Sequence, residues 1–350
     1  MDKQRKLGVG IVGLGGIAGD HIKGYLANPH CEIVAFVSRD RDRAESTARL
    51  LGLSGCRAFT DLDQMLKQDD VDLVSICTPN NLHVEQGIAV AQAGKHLVME
   101  KPIALDIEGA RSLERAVVAA GIKNVVCLVL RWYPRFINQV ALVKSGAIGN
   151  VFFADCEYLL GHMESKPGQW RWIWKKSMGG STLVHAGLHA VDAMRQFMAA
   201  PAVEVTAYAH RPSGRHEGDP VSWYEYPPTV VGIVRFADGA VAKLTSSFET
   251  AMPFQLNLRL YGTQGTIQNA QLWSEVLSPQ QKDWAHFPAI GPDSGDGPHQ
   301  PFSPMIDHLV GCILKDRPAS PDISDALKSH EIAYGADISV AEARPVRLPL

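Results

Sequence analysis

The sequence lacks the features that mark several large classes of protein. It has no long run of like charges and no polar tract, and its 350 residues carry a formal net charge of only -3. Hydrophobic residues make up 46% and charged residues 20% of the chain, which is typical of a folded protein rather than a disordered one. No apolar run reaches the length of a membrane span, and the balanced charge offers no footprint for nucleic acid or an anionic membrane.

Cysteine is scarce and scattered. The chain has no Cys-x-x-Cys pair, and several cysteines lie inside apolar runs; the six are Cys31, Cys56, Cys77, Cys127, Cys156 and Cys312. We therefore expect reduced, mostly buried thiols. The first residues lead directly into an apolar strand without the apolar segment of a secretory signal. Together these features predict a cytoplasmic protein.

The hydrophobic pattern changes near residue 130 and predicts two domains. Upstream, short apolar runs alternate with helical patterns; the runs are 7–12, 33–37, 73–77, 96–99 and 125–130. Downstream, the predicted strands are longer, at 151–160, 203–209, 230–236, 240–248 and 255–261, with a hairpin signal at Asp238-Gly239. Residues 278–304 predict a long surface excursion, and residues 324–343 a closing helix.

These patterns predict an α/β protein. We expect a Rossmann-type doubly wound parallel sheet in residues 1–130, because alternating strands and helices are typical of βαβ units. For residues 131–350 we expect an α+β domain with a large, mostly antiparallel open sheet, which would bind substrate and mediate oligomerisation.

A glycine-rich turn follows the first predicted strand. The segment Gly13-Leu14-Gly15-Gly16-Ile17-Ala18 fits Gly-x-Gly-x-x-Ala/Gly in the context that the motif requires, between a strand and a helix. The first glycine permits a tight turn, the second lets the backbone approach a pyrophosphate, and the small Ala18 allows close helix packing. We therefore predict that Gly13, Gly15, Gly16, Ile17 and Ala18 bind a dinucleotide.

The end of the second predicted strand bears on the choice between NAD and NADP. An NAD enzyme usually has an acidic residue there, which accepts a hydrogen bond from the ribose 2′-hydroxyl; this chain has Ser38. Ser38 and Arg39, with Arg41 and Arg43 nearby, can hydrogen-bond and neutralise a 2′-phosphate, so NADP(H) is favoured. NAD(H) stays open as the alternative, in which Arg39 stacks on the adenine and Asp40 or solvent takes the ribose.

Three polar residues recur at helical spacing in the stretch 179–192: His185, His189 and Asp192. On an α-helix they would share one face, so the stretch is a candidate metal site, proton-transfer site or piece of core. A His-x-x-x-His pair can hold a transition metal with a third ligand from elsewhere. The stretch lacks the glutamate of His-Glu-x-x-His, however, and we predict no metal.

Several motifs resemble those of the Gfo/Idh/MocA family of oxidoreductases, whose namesakes include glucose-fructose oxidoreductase and inositol dehydrogenase. The motifs follow the order of the family and are Thr78-Pro79-Asn80-Asn81-Leu82-His83, Glu100-Lys101-Pro102, Gly146-Ala147-Ile148-Gly149, Trp170-Arg171, the stretch 179–192 and Tyr261-Gly262-Thr263-Gln264-Gly265-Thr266. The resemblance extends over essentially the whole chain. It implies an NAD(P)-dependent oxidoreductase that interconverts a secondary alcohol and a ketone on a sugar, cyclitol or glycoside by hydride transfer.

The resemblance also implies roles for individual residues. It implies that Lys101 stabilises the substrate oxyanion and that His189 exchanges the hydroxyl proton. His185 then either positions a neighbouring hydroxyl or shares a proton with His189, unless it is a tolerated substitution in a member with reduced catalysis. The residues implied near the cofactor are Thr78, Pro79, Asn80, His83, Glu100, Lys101, Arg131, Trp170 and Arg171. His185 stands where the family usually has aspartate, and Ser181 where it has a third glycine. Asp192 is expected to support the helix.

Two other functions stay open on the same scaffold. One is a glycoside-cleaving enzyme, in which bound NAD oxidises the sugar transiently and permits elimination of the aglycone. The other is a sugar- or cofactor-sensing protein without turnover. The exposed face of an antiparallel sheet favours association, so we expect a homodimer or homotetramer through the C-terminal sheet, as in many relatives. The other expected partner is a small sugar or polyol, with neither nucleic acid nor membrane.

Overall fold

The computed structural model describes residues 5–161, 168–210, 224–287 and 301–350, with only the backbone for residues 168–170. These residues form two compact units. The first contains residues 5–129 and 301–327, and the second contains the described residues between 130 and 287 together with residues 328–350. Within the described ranges, no helix combines the length and the apolar character that crossing a membrane requires.

The first unit is built on a parallel sheet. Its strands are β1 (Leu7–Val12), β2 (Cys31–Val37), β3 (Arg57–Phe59), β4 (Leu73–Ile76), β5 (His96–Met99) and β6 (Asn124–Val126). They pair in the order β3-β2-β1-β4-β5-β6, so the strand order reverses between β1 and β4. In an open sheet of this kind, ligands bind beyond the carboxyl ends of the strands at that reversal.

Helices connect these strands: α1 (Ala18–Ala27), α2 (Arg41–Leu50), α3 (Leu62–Leu66), α4 (His83–Gln92) and α5 (Ile107–Ala120). The strands between them are apolar on both faces, and Ile11, Leu73 and Val98 are fully buried, as expected where both faces of a parallel sheet are covered. The helix ends follow from local side chains. In α5, the Asp106 carboxylate accepts a hydrogen bond from the Gly109 amide at 2.8 Å, which caps the first turn.

The second unit is built on a mixed sheet. Its strands are β7 (Val151–Gly161), β8 (Ala202–His210), β9 (Thr229–Phe236), β10 (Val241–Thr250), β11 (Gln255–Gly262), β12 (Gly265–Gln268), β13 (Gln271–Ser274), β14 (Ala285–His286) and β15 (Val346–Arg347). In the described residues they pair in the order β14-β13-β12-β11-β7-β10-β9-β8-β15, antiparallel except for β7 with β10. The helices before and between these strands are α6 (Pro134–Lys144), α7 (Lys176–Gly179) and α8 (Leu188–Arg195).

Side-chain burial alternates along the strands of this sheet, so one face packs against the core. In β9, Val230, Val234 and Phe236 are buried, whereas the intervening Val231 and Ile233 are exposed. The hairpin predicted at Asp238-Gly239 connects β9 to β10, and Gly239 has a φ of +90° that favours glycine.

Two further helices lie near the end of the chain. The first, α9 (Phe302–Leu314), belongs to the first unit, where the Asn28 amide donates to the Asp307 carboxylate at 2.6 Å. Gly24 permits this packing of α9 against α1, because a Cβ there would lie 2.5 Å from Ile306 Cδ1. The second is α10 (Ile323–Glu342), and the boundary between the two units falls within it.

The predicted fold class is confirmed: a parallel Rossmann-type sheet is followed by a large, mostly antiparallel sheet. The strand predicted at 125–130 is too long, since β6 ends at Val126 and residues Val129–Trp132 form a 3₁₀ turn. The excursion predicted at 278–304 contains β14 and the start of α9, while its residues 288–300 lie outside the described residues. The domain boundary at residue 130 stays a prediction.

Candidate functional site

The glycine-rich turn of the first unit lies between β1 and α1, as predicted. Gly13 has a φ of +87°, and a Cβ there would lie 2.8 Å from Thr78 Cγ2 and 2.9 Å from the Cys77 carbonyl oxygen. Gly15 and Gly16 are exposed, whereas Ala18 is buried at the first turn of α1. A ligand can therefore approach the backbone of the turn and the free amides of the helix N-terminus.

The residues after β2 form an exposed basic segment. The Asp40 carboxylate accepts a hydrogen bond from the Arg43 amide at 3.2 Å and caps α2. The Ser38 hydroxyl accepts one from the Asp40 amide at 3.2 Å. The guanidinium of Arg41 binds Glu45 at 2.9 Å, while the side chains of Arg39 and Arg43 are exposed. Asp40 is thus engaged in helix capping beside two exposed guanidinium groups.

The Thr78–His83 motif follows β4. The Thr78 hydroxyl donates to the side-chain oxygen of Gln86 at 2.6 Å, and Pro79 precedes a 3₁₀ turn over Asn80–Leu82 in which Asn80 is buried. His83 begins α4 and is fully buried. Its Nδ1 lies 2.6 Å from the Pro102 carbonyl oxygen and its Nε2 lies 2.9 Å from the Thr78 carbonyl oxygen. His83 therefore joins two motifs that the sequence separates.

The Glu100-Lys101-Pro102 segment follows β5 at the carboxyl edge of the same sheet. The Glu100 carboxylate is buried, and its Oε2 accepts a hydrogen bond from the Lys101 amide at 3.1 Å. Its other oxygen, Oε1, accepts one from Nε2 of the fully buried His21 at 3.0 Å. Lys101 is thus flanked by two residues that buried histidines contact, since His21 binds Glu100 and His83 binds Pro102.

Burial and charge shape the ionisation of this segment. Burial lowers the pKa of the Lys101 ammonium, and the neighbouring Glu100 carboxylate opposes that shift. For Glu100, burial acts to raise the pKa, but the hydrogen bond with His21 and the charges of His21, Lys101 and His83 together outweigh it, and the pKa falls. Burial also lowers the pKa of His83. The segment therefore holds a carboxylate directly beside an amine whose charged form is partly destabilised.

In the second unit, the stretch 179–192 begins with a different helix type from the one predicted. Residues Leu183–Gly187 form a π-helix, so the α-helical spacing rule does not extend from His189 back to His185. His185 is 9% exposed and lies edge-on to Trp172, with ring centroids 5.7 Å apart, and near Phe248 at 6.3 Å. His185 therefore lies among aromatic rings.

His189 lies on α8 and is 4% exposed. Its ring stacks on Tyr158 of β7, with centroids 5.5 Å apart and an interplanar angle of 26°. Burial raises the pKa of the Tyr158 hydroxyl, which keeps that group neutral. The imidazole of His189 is therefore held against a neutral aromatic ring.

Asp192 supports the same helix. Its carboxylate accepts hydrogen bonds from Arg131 Nε at 2.8 Å and Nη2 at 2.7 Å, and from the Ser329 hydroxyl at 3.0 Å. The Arg131 guanidinium, predicted near the cofactor, is thus bound to α8. Arg171 is exposed and lies 6.0 Å from the ring centroid of Trp174, and the predicted side chain of Trp170 lies outside the described residues.

One buried cluster escaped the sequence analysis. His21, Glu100 and Cys127 bring potential metal-ligand atoms within 4.8 Å of one another; in the described part of the chain, no other group of three does so. The cluster includes neither His185 nor His189. Its His21 and Glu100 are already hydrogen-bonded to each other. No local signal identifies His21, because its partner lies 79 residues away.

Comparisons with known proteins agree with this geometry. A model of the oxidoreductase family with an NAD-binding Rossmann fold matches residues 7–128, and a model of the GFO/IDH/MocA C-terminal domain matches residues 139–268. The chain is 27% identical over 261 residues to 1,5-anhydro-D-fructose reductase of Ensifer adhaerens, covering 74% of each chain. It is 24% identical over 341 residues to scyllo-inositol 2-dehydrogenase (NAD(+)) of Bacillus subtilis, covering 97% of this chain and 95% of the relative.

Solved structures share the fold along nearly the whole chain. Levoglucosan dehydrogenase in complex with NADH superposes with a TM-score of 0.86 at 22% identity, covering 99% of this chain and 100% of that one. The two family models match consecutive parts of the chain, and the first spans all six strands of the parallel sheet. The chain belongs to the Gfo/Idh/MocA family of oxidoreductases, with an NAD-binding Rossmann fold in its N-terminal part.

Proposed function

We propose that the protein interconverts a secondary alcohol and a ketone on a sugar, cyclitol or glycoside with a nicotinamide cofactor. The observation that carries the proposal is the position of Lys101. It lies two residues after the end of β5, at the carboxyl edge of the sheet whose β1 ends at the dinucleotide turn. Relatives named for anhydrofructose, scyllo-inositol and levoglucosan support a polyhydroxylated substrate.

The residues of the first unit fit a dinucleotide. Gly15 is exposed, and a Cβ at that position would meet no other atom within 4 Å, so the turn leaves open space above its backbone. α1 begins three residues later, at Ala18, and the amides at the start of a helix favour an anion such as a pyrophosphate. When bound, the nicotinamide ring supplies the hydride acceptor or donor at its C4 atom.

The chain's own side chains would hydrogen-bond the substrate oxygen and transfer its proton. In the proposed oxidation, His189 accepts the proton of the substrate hydroxyl while the ammonium of Lys101 donates a hydrogen bond to the developing oxyanion. In the reduction, His189 returns the proton. His185 hydrogen-bonds a neighbouring hydroxyl, and its imidazole brings no fixed negative charge, in contrast to the family aspartate.

The segment after β2 supports NADP(H) as the cofactor. The Asp40 carboxylate, the acidic group nearest to the end of β2, already caps α2 through the Arg43 amide. Arg39 and Arg43 are exposed, and Ser38 lies between the strand and these guanidinium groups. The guanidinium groups of Arg39 and Arg43 can donate charge-assisted hydrogen bonds to a 2′-phosphate. The carboxylate that could accept from a ribose hydroxyl, that of Asp40, already accepts the Arg43 amide.

The open face of the sheet in the second unit supports self-association. Tyr208 of β8 is 77% exposed and pairs directly with Val231 of β9, and Ile233 follows on the same face at 45% exposure. A sheet face with apolar residues on neighbouring strands is stabilised when a partner covers it. We therefore propose that a second copy of the chain binds this face, giving a homodimer or a homotetramer.

A substrate panel tests the proposed reaction. The purified protein is incubated with NAD⁺ or NADP⁺ and a range of sugars, cyclitols and glycosides, and nicotinamide reduction is followed by absorbance. We expect at least one substrate to be oxidised. Lys101→Ala and His189→Ala should lower its turnover by about 10²–10⁴-fold while cofactor binding, followed by fluorescence, is retained. His286→Ala is the matched control, because His286 is an exposed histidine of β14.

Two outcomes would contradict the proposal. Release of an aglycone without net cofactor reduction would indicate a glycoside-cleaving enzyme. Cofactor binding without turnover on the whole panel, unchanged by Lys101→Ala, would indicate a sensing protein.

A further inference from the structure

A chain of buried hydrogen bonds in the first unit leads from α1 to the Glu100-Lys101-Pro102 segment. The Tyr25 hydroxyl donates to the Ser75 hydroxyl oxygen at 3.2 Å, and Ser75 Oγ lies 2.7 Å from Nδ1 of His21. His21 Nε2 then lies 3.0 Å from Glu100 Oε1. All four residues are at most 7% exposed. None of them belongs to a motif that predicts chemistry except Glu100.

The direction of the last hydrogen bond follows from chemistry. An ionised carboxylate has only acceptors, so His21 Nε2 carries the proton and donates it to Glu100. Ser75 holds the opposite side of the ring, which fixes the orientation of the imidazole. The second oxygen of Glu100 accepts the Lys101 amide, so the rotamer that His21 selects for Glu100 also anchors the backbone of Lys101.

We propose that His21 is a positioning residue for Lys101 and acts through Glu100. Without the donor on His21, the buried Glu100 carboxylate would keep the hydrogen bond from the Lys101 amide and lose the one from His21, and its neutral form would gain. The negative charge that favours the ammonium form of Lys101 would then be weakened, because Glu100 is protonated more readily and its carboxylate loses the bond that fixes its rotamer. A larger fraction of Lys101 would be the free amine at neutral pH, and less of it could stabilise an oxyanion.

Other titratable side chains interact with Lys101 and His21. In the described residues of the first unit, Glu100 and Cys127 oppose the lowering of the Lys101 pKa by burial, and burial and the Lys101 ammonium lower the pKa of His83. Burial acts to lower the pKa of His21, but Cys77 and Cys127 raise it. Burial raises the pKa of the Cys127 thiol, so it is neutral near pH 7. Glu100 is therefore the anion beside Lys101 that favours its ammonium form near pH 7.

The role of Lys101 in turnover is part of the proposed function, on which this inference rests, so the test measures Lys101 itself. The full-length protein is treated with trace acetic anhydride between pH 6 and pH 10, and acetylation of the Lys101 peptide is quantified by mass spectrometry. The reagent acylates only the free amine, so the rate reports its fraction. The result does not depend on finding a substrate, and failure of the proposed reaction leaves it intact.

We expect His21→Leu to raise the rate of Lys101 acetylation at pH 7.5 by about tenfold, the effect of losing a hydrogen bond to a charged group. His21→Gln, whose amide can donate in place of Nε2, should stay close to the wild type. His330→Leu is the matched control, because it replaces another fully buried histidine, in the second unit. Its rate should not change.

Thermal unfolding and cofactor binding identify any variant that fails to fold. If His21→Leu does not fold, Ser75→Ala, which removes the bond that orients His21 together with the acceptor of the Tyr25 hydroxyl, should raise the rate by about threefold. Glu100→Gln should raise the rate as well, and adding His21→Leu to it should give no further rise, because His21 acts on Lys101 through the Glu100 carboxylate. An unchanged or slower rate in His21→Leu, or an equal rise in His330→Leu, would overturn the proposal.

Discussion

Arg131 binds the carboxylate of Asp192 with two hydrogen bonds, from Nε at 2.8 Å and from Nη2 at 2.7 Å. Asp192 is 1% exposed and Arg131 14% in their side chains. Removing one partner of such a pair leaves the other charge buried and uncompensated. We predict that Asp192→Ala lowers the free energy of unfolding by about 3–5 kcal/mol, measured by urea denaturation.

An exposed ion pair in the same unit is the control for this prediction. Arg235 and Glu204 lie 3.2 Å apart, with side-chain exposures of 56% and 30%. Glu204→Ala should cost less than about 1 kcal/mol, because solvent screens such pairs. Equal losses in Asp192→Ala and Glu204→Ala would contradict the assignment of the Arg131–Asp192 pair as a buried anchor of α8.

The elements that the sequence predicts well are those with strong local patterns. The predicted bounds of β1 and β5 coincide with the observed strands, because each is a short apolar run between turn residues. The dinucleotide turn is equally local, since glycine at position 13 is required by the positive φ of that residue.

The side-chain pairs that organise the site are not local, and the sequence does not predict them. His21 and Glu100 are 79 residues apart, and Arg131 and Asp192 are 61 apart, so tertiary packing alone brings them together. The π-helix that carries His185 was also missed, because the sequence spacing fits an ordinary α-helix equally well. The predicted roles of His185 and His189 in catalysis stay predictions.

Asp337 of α10 should make stability depend on pH. Burial raises the pKa of its carboxyl to about 6, although a hydrogen bond with Ser181 and the charge of Lys176 oppose the shift. The folded protein therefore holds this proton more tightly than the unfolded chain, and stability falls as pH rises from about 4 to about 6. Asp337→Asn stays neutral at every pH and does not show this loss.

The measurement is urea denaturation of wild type and Asp337→Asn at pH 4, 5, 6 and 7. We expect the stability of the variant relative to wild type to increase by about 2 kcal/mol between pH 4 and pH 7, allowing for the partial exposure of Asp337. Asp283→Asn, at an exposed position, should show no such trend. A flat difference between Asp337→Asn and wild type would show that burial does not hold a proton on Asp337.

The exposed apolar face of the second unit predicts the effect of a charge placed there. Ile233→Lys should raise the dissociation constant of the proposed dimer by at least about tenfold, because each copy would bury an unpaired ammonium in the interface. Sedimentation velocity over a range of protein concentrations measures the change. Leu50→Lys is the control, since Leu50 is an exposed apolar residue of α2 in the first unit. A wild type that sediments as a monomer at all concentrations would remove the basis of the proposal.

The basic segment after β2 predicts how the cofactor preference responds to mutation. Arg39→Ala should raise the dissociation constant for NADP⁺ by about tenfold or more, the effect of losing a charge-assisted hydrogen bond, and change that for NAD⁺ by less than about threefold. Arg41→Ala is the matched control, because its guanidinium binds Glu45. Equal weakening of NAD⁺ and NADP⁺ by Arg39→Ala, followed by fluorescence titration, would instead indicate that Arg39 stacks on the adenine that both cofactors share.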